Sequence, residues 1–142
     1  MRKTGTGFTL IELLVAISIV AVLSTIGFSV YQGIQAKARD SIRKRDLNNL
    51  ATALEIYAQH NGSYISGITT CPQSTDTTST FYTNIASNMS DNVVPKDPKG
   101  TFYCYLSANG STYTLCVDLE NDSDPERNTT LCLGYDYGVV PK

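Results

Sequence analysis

The sequence predicts an α+β protein: a long N-terminal α-helix, membrane-spanning in its first half and amphipathic in its second, packed against a small antiparallel β-sheet head. Three observations predict it. From Phe8 to Tyr31 the chain is apolar for 24 residues, with Glu12 as the one charge. No proline interrupts the passage from that run into a segment whose apolar residues recur at helical spacing. In the C-terminal half, two aromatic and β-branched runs flank Asn109-Gly110, the strongest short hairpin cue.

At a rise of about 1.5 Å per residue the apolar run makes a helix about 36 Å long. That exceeds a bilayer hydrocarbon core of about 30 Å. A secretory signal peptide has a shorter core of roughly 7–15 residues, and Ala21 and Ser24 are poor cleavage candidates. An ionised acid inside the hydrocarbon costs about 2.5–3.5 kcal/mol on insertion scales, so Glu12 requires a partner. Further along, Leu47, Leu50, Ala51, Leu54, Tyr57 and Ala58 form one stripe, with Arg43, Lys44, Asn48, Asn49, Glu55 and Gln59 opposite and between them. One continuous helix from Phe8 to Gln59 is the simplest reading. His60-Asn61-Gly62 ends it, with Gly62 as a left-handed cap. The divisions that follow are a hydrophobic half at 8–33, an amphipathic half at 34–60, and a head at 61–142.

Between the helix halves, Lys37, Arg39, Arg43, Lys44 and Arg45 stand with Asp40 and Asp46. The simplest reading is a solvated face with partners one turn away; the sharper one is a collar touching lipid headgroups or neighbouring subunits. Residues 66–80 are rich in Ser and Thr without an apolar period, a surface loop pinned by Cys71. Residues 81–89 allow a short helix or turn, and residues 93–100, with two prolines and a glycine, form a connector. The hairpin follows, then an acidic loop, then a last short strand near 131–140.

All four cysteines, Cys71, Cys104, Cys116 and Cys132, lie beyond the apolar segment. An even number in a small domain reads as two disulfides in an oxidising, extracytoplasmic setting. The basic cluster behind the span runs against the positive-inside rule; the cysteines decide for a head outside. A two-residue Asn-Gly loop would place Cys104 and Cys116 on opposite faces, whereas a three-residue loop would put them on one face. The expected pairing is Cys104–Cys116 with Cys71–Cys132. From Asn61 onward four cations face nine acids, a net charge of −5, which repels phosphates and argues against nucleic acid as a partner. His60 is the lone histidine, and no nucleophile–base pairing, P-loop or dinucleotide fingerprint occurs. A non-enzyme is expected.

The basic leader ending in Gly7, followed by FTLIELLVAISIVAVL, resembles the N-terminal signal of type IV pilins and the related pseudopilins. The matching positions are Gly7, Phe8, Glu12 and the uninterrupted apolar helix behind them, within about the first 25 residues. The stretch VPKDPKGTFYCY is likewise similar to the segment that enters the sheet in major pseudopilins and small pilins. The resemblance implies a lollipop fold and a leader, residues 1–7, removed by a membrane-embedded prepilin peptidase between Gly7 and Phe8, with methylation of the new Phe8 amine. Loss of Arg2 and Lys3 takes the net charge from −2 to −4. It also implies a membrane-held precursor pool, an assembly platform, other pilins as partners, and a homo-oligomeric helical filament outside the cell. There the Glu12 carboxylate of one subunit meets the Phe8 ammonium of its neighbour in low dielectric and sets the axial register. Within one chain, Glu12 also lies one turn from the Phe8 amine and could neutralise it locally. Many family members carry a proline about twenty residues into the mature helix; this chain has Gly27 and Ser29 there instead.

The acidic loop 118–128 presents Asp118, Glu120, Asp122 and Asp124 at alternating positions, hard oxygen donors of the kind calcium takes. The resemblance adds that major pseudopilins carry calcium in a β-loop, although the EF-hand pattern fails here. No other cofactor is implied. The expected function is a type IV pilus filament subunit. A type II secretion or competence pseudopilin is the sibling reading, and a monomeric binding module on an uncleaved signal anchor is the reading of another class. Glu12 and the Gly7-Phe8 junction discriminate, since a mere anchor needs neither.

Overall fold

The computed structural model describes residues 7–71, 79–100, 103–132 and 134–141. Leader residues 1–6 and the centre of the Ser/Thr-rich stretch, 72–78, lie outside the described residues. The architecture is α+β as expected: helix α1 (Leu10–Asn61), a short helix α2 (Thr80–Ala86), and strands β1 (Cys104–Leu106), β2 (Thr114–Val117) and β3 (Tyr137–Val139). The strands form one antiparallel sheet in the order β1-β2-β3. The chain divides into two compact units after Gln35.

Helix α1 continues through Gly27 without a break. One glycine costs only about 1 kcal/mol relative to alanine, too little to interrupt so long a helix. At its end Gly62 adopts a left-handed φ of 78° and its N–H donates to Ala58 O at 2.8 Å, the glycine cap the sequence predicts.

In the second unit the centre of the α1 stripe is covered, with Ala51, Tyr57 and Ala58 half-buried. Leu47, Leu50 and Leu54 have no exposed surface, and Ala53 replaces the predicted Ala51 as the small buried residue. They join Tyr103, Tyr105, Tyr113, Leu115 and Val117 from the strands and their flanks in one cluster. Each buried leucine contributes about 1.5–3 kcal/mol. Helix α2 closes one end: Ser79 Oγ accepts the Tyr82 N–H as its N-cap, while Phe81 stacks on Tyr105 with ring centroids 4.3 Å apart. The Tyr105 hydroxyl, inside this cluster, donates to Ile65 O at 2.8 Å. Because side chains alternate across a strand, Cys104 and Cys116 point to the other face, where they gather with Cys132.

The hairpin departs from both turns expected for Asn109-Gly110. Cys104 stands directly opposite Cys116 and Leu106 opposite Thr114, so residues 107–113 form a longer loop. The reason is a competing backbone partner. Ser107 and Ile68 exchange two hydrogen bonds of 2.8 and 3.0 Å, and Tyr64 N–H donates to Gly110 O at 2.9 Å. The segment after α1 thereby claims the backbone that a tight turn would have paired. A Cβ on Gly110 would lie 2.8 Å from Tyr64 O, and its φ is 76°, so glycine is required there twice over.

The disulfides are Cys71–Cys104 and Cys116–Cys132, which corrects the expected Cys104–Cys116 and Cys71–Cys132 pairing. Although Cys104 and Cys116 are opposite one another in register, each sulfur is drawn to a loop cysteine beside the sheet rather than across it. Gly138, opposite Cys116, makes room for this. A Cβ there would lie 2.5 Å from Cys132 Sγ and 2.9 Å from Leu131 Cδ2. Gly138→Ala is therefore expected to destabilise the chain by about 1–3 kcal/mol through overpacking. Urea unfolding under non-reducing conditions checks this, and an unchanged midpoint would refute it.

Candidate functional site

The first candidate site is the start of α1. Thr9 is the N-cap and Glu12 the third helical residue, and together they form a capping box. The Glu12 Oε2 accepts from Thr9 N–H at 2.9 Å and from Thr9 Oγ1 at 2.8 Å, while Glu12 N–H donates back to Thr9 Oγ1 at 3.3 Å. Within a single chain the Glu12 carboxylate thus has a partner, and it is Thr9. The T-x-x-E spacing that marks such a box is legible at 9–12.

Behind it the helix is apolar all round. The large apolar side chains from Phe8 to Ile34 are 50–91% exposed. The hydroxyls of Ser18, Ser24 and Thr25 donate to helix carbonyls of Leu14, Val20 and Val22 at 2.7–2.8 Å. Their polarity is therefore satisfied within the helix, as an apolar surrounding demands. By length and composition α1 is long and apolar enough to cross a membrane. The arrangement suits burial in lipid or among other helices, with Gly7-Phe8 lying just before the helix start and Phe8 91% exposed.

The second candidate site is the acidic loop after β2. Three of the basic residues of α1 that read as a solvated face, Arg39, Arg43 and Lys44, are instead its docking surface. Arg43 is buried, its side chain 4% exposed, and binds three carboxylates: Asp97 at 2.5 and 3.1 Å, Asp40 at 2.8 Å and Glu120 at 2.8 Å. Arg39 grips Glu120 in a fork, through Nε at 2.8 Å and Nη2 at 2.6 Å. Lys99 reaches Glu120 at 3.0 Å. Buried Asp40 also accepts the backbone N–H groups of Glu120 and Asn121 at 2.9 and 2.8 Å, fixing the loop to the helix. Lys44 meets Asp124 at 2.6 Å and Glu126 at 2.7 Å. Arg127 pairs with Asp122, and with Asp136 at 2.6 Å. Asp46 accepts from the Tyr103 hydroxyl at 2.9 Å, and burial followed by this bond raises the Tyr103 hydroxyl above its usual range.

The four residues expected to hold calcium are accordingly not brought together. Glu120, Asp122 and Asp124 each face a different cation. Asp118 stands near Asp136, its carboxyl raised by burial and then by that neighbouring charge. Among the described residues no three carboxylate, histidine or cysteine groups converge on a metal-sized point. The oxygens of Glu120, Asp122 and Asp124 that a cation would take are met by Arg39, Arg127 and Lys44 of the chain itself.

Arg39, Lys99 and Arg43 hold the Glu120 carboxyl far below the ordinary value of 4.5, and Lys44 lowers that of Asp124. For carboxyls depressed by folding, the stabilisation is complete above the unfolded value and is lost as pH falls toward the folded one. The urea midpoint of the chain is thus expected to stay level near neutrality and to drop once pH passes below 4.5. Glu120→Gln should flatten that decline, and a variant as acid-sensitive as the parent would count against the assignment.

Residues 2–28 match the family model described as the prokaryotic N-terminal methylation motif. The chain therefore carries that N-terminal motif, and the structural start of α1 falls inside the match. Over 65 residues it is 42% identical to "Prepilin peptidase-dependent protein D" of Escherichia coli (strain K12), covering 46% of this chain and 42% of that protein. The similarity thus spans about two-fifths of the length of the curated relative. No solved structure matches.

Proposed function

We propose that this chain is a structural subunit of a type IV pilus filament, and not an enzyme. It is held in the membrane by the first half of α1, cut between Gly7 and Phe8 by a prepilin peptidase, and methylated on the Phe8 amine. It is then stacked with its own copies and other pilins on a membrane platform, its head extracytoplasmic and finally extracellular. The observation that carries the reading is the first turn of α1. A lone carboxylate, Glu12, is placed one turn behind the cleavage junction at the head of a helix whose large apolar side chains from Leu10 to Ile34 are all exposed. Such a surface is too large to leave in water and is buried by lipid before assembly and by neighbouring helices after it. Cleavage supplies the ammonium that a buried Glu12 requires. A type II secretion pseudopilin shares all of this. The two disulfides of the head, suited to an exposed fibre, favour the pilus reading over that sibling.

Mass spectrometry of the N-terminal peptide from protein sheared off the cell surface tests the proposal. A peptide beginning at methylated Phe8 is expected. Intact Met1 found only in membranes would overturn it in favour of a signal-anchored module.

A further inference from the structure

We infer that the loop after β2 is closed by the chain's own cations in place of a divalent metal, so that the head stands independently of calcium. The inference concerns the head alone and does not depend on whether the chain forms a filament.

Oxygen occupancy argues it first. Calcium takes about 6–8 oxygen ligands, mostly carboxylate and carbonyl, at about 2.3–2.6 Å. Both oxygens of Glu120 are engaged, Oε1 by Arg39 and Arg43 and Oε2 by Arg39 and Lys99. Both oxygens of Asp40 accept backbone N–H groups, and Oδ1 also accepts from Arg43. Asp97 gives both oxygens to Arg43 and accepts the Lys99 backbone N–H at 2.7 Å. Among these three carboxylates a divalent ion could enter only by expelling guanidinium groups that already make forked, charge-assisted bonds.

Charge balance argues it independently. The cluster holds three carboxylates, Asp40, Asp97 and Glu120, against three cations, Arg39, Arg43 and Lys99. These six groups balance, so a divalent charge at Glu120 would find no surplus anion among them. Guanidinium also does what a metal would do mechanically. Arg43 ties α1 to the turn at Asp97 and to the loop at Glu120 through one planar group.

The test is thermal melting of the full chain in detergent, oxidised, at matched ionic strength, with calcium chloride or with a chelator. The two melting temperatures are expected to agree within about 1 °C, since a ligand that binds the folded state would raise one of them. Arg39→Gln is expected to lower the melting temperature and to speed amide exchange at Glu120 and Asn121, leaving exchange at Leu50 and Leu54 unchanged. A rise of several degrees with calcium, or a saturating one-to-one calcium isotherm in the millimolar range, would overturn the inference. So would an Arg39→Gln chain whose loop amides exchange at the parent rate.

Discussion

Replacing Arg43 by alanine is expected to destabilise the chain by about 3–5 kcal/mol, the loss found when one partner is taken from a buried ion cluster. The magnitude follows from what stays behind. Asp40 and Asp97 have side chains only 2% and 3% exposed, and both would be left as buried anions without their guanidinium. A typical domain has about 5–15 kcal/mol to lose, so the change removes a large share of it. Equilibrium urea unfolding of the oxidised chain measures the effect. Adding Asp97→Asn to Arg43→Ala should recover part of the loss, because it removes one of the stranded charges. A single variant within 1 kcal/mol of the parent, a bound set by the usual effect of exposed pairs at about 0–1 kcal/mol, would mean the cluster is solvated in practice.

For Glu12→Ala the expected result is normal insertion and cleavage with at least about a tenfold loss of sheared filament. Leaving a neighbour's buried ammonium unpaired costs about 3–5 kcal/mol, and about 1.4 kcal/mol is already tenfold. The capping box supplies a control that the carboxylate alone could not. Thr9→Val removes the hydroxyl bonded to Glu12 at 2.8 Å but keeps the acid. Loss of a helix cap costs about 0.5–2 kcal/mol, so Thr9→Val should leave assembly largely intact. Equal filament yields from Glu12→Ala and the parent would remove the register role. Equal losses from both variants would reduce Glu12 to a helix cap.

The α1 helix is legible in the sequence because its evidence is local: an unbroken apolar run, a 3.6-residue stripe and a glycine stop. The strands β1 and β2 are visible for the same reason. Their register is not, since it is decided by Ile68 and Tyr64, residues that approach the hairpin from outside it. The cysteine pairing escapes the sequence on the same ground. Register brings Cys104 opposite Cys116, but the bonds go to partners in loops whose course no periodicity encodes. At the basic cluster, composition identifies the charges and misses their destination. Lys37, Arg39 and Arg43 look alike in the sequence, yet Arg43 forks onto buried Asp97, 54 positions away, and Arg39 onto Glu120, 81 positions away. The N-terminal site is legible in type and position, and its Thr9–Glu12 bond is available from spacing alone.

The two covalent bridges also set how far the head can be drawn out under load. Cys71–Cys104 spans 33 positions and Cys116–Cys132 spans 16. At about 3.3–3.6 Å per extended residue, they withhold together about 160–175 Å of contour from any pulling force. A subunit tugged between its helix and its last strand can therefore peel at the polar contacts, yet most of the backbone between those two elements is short-circuited by sulfur. Its compliance is that of a much smaller domain, and reduction of the bridges would convert a stiff tether into a long, soft one.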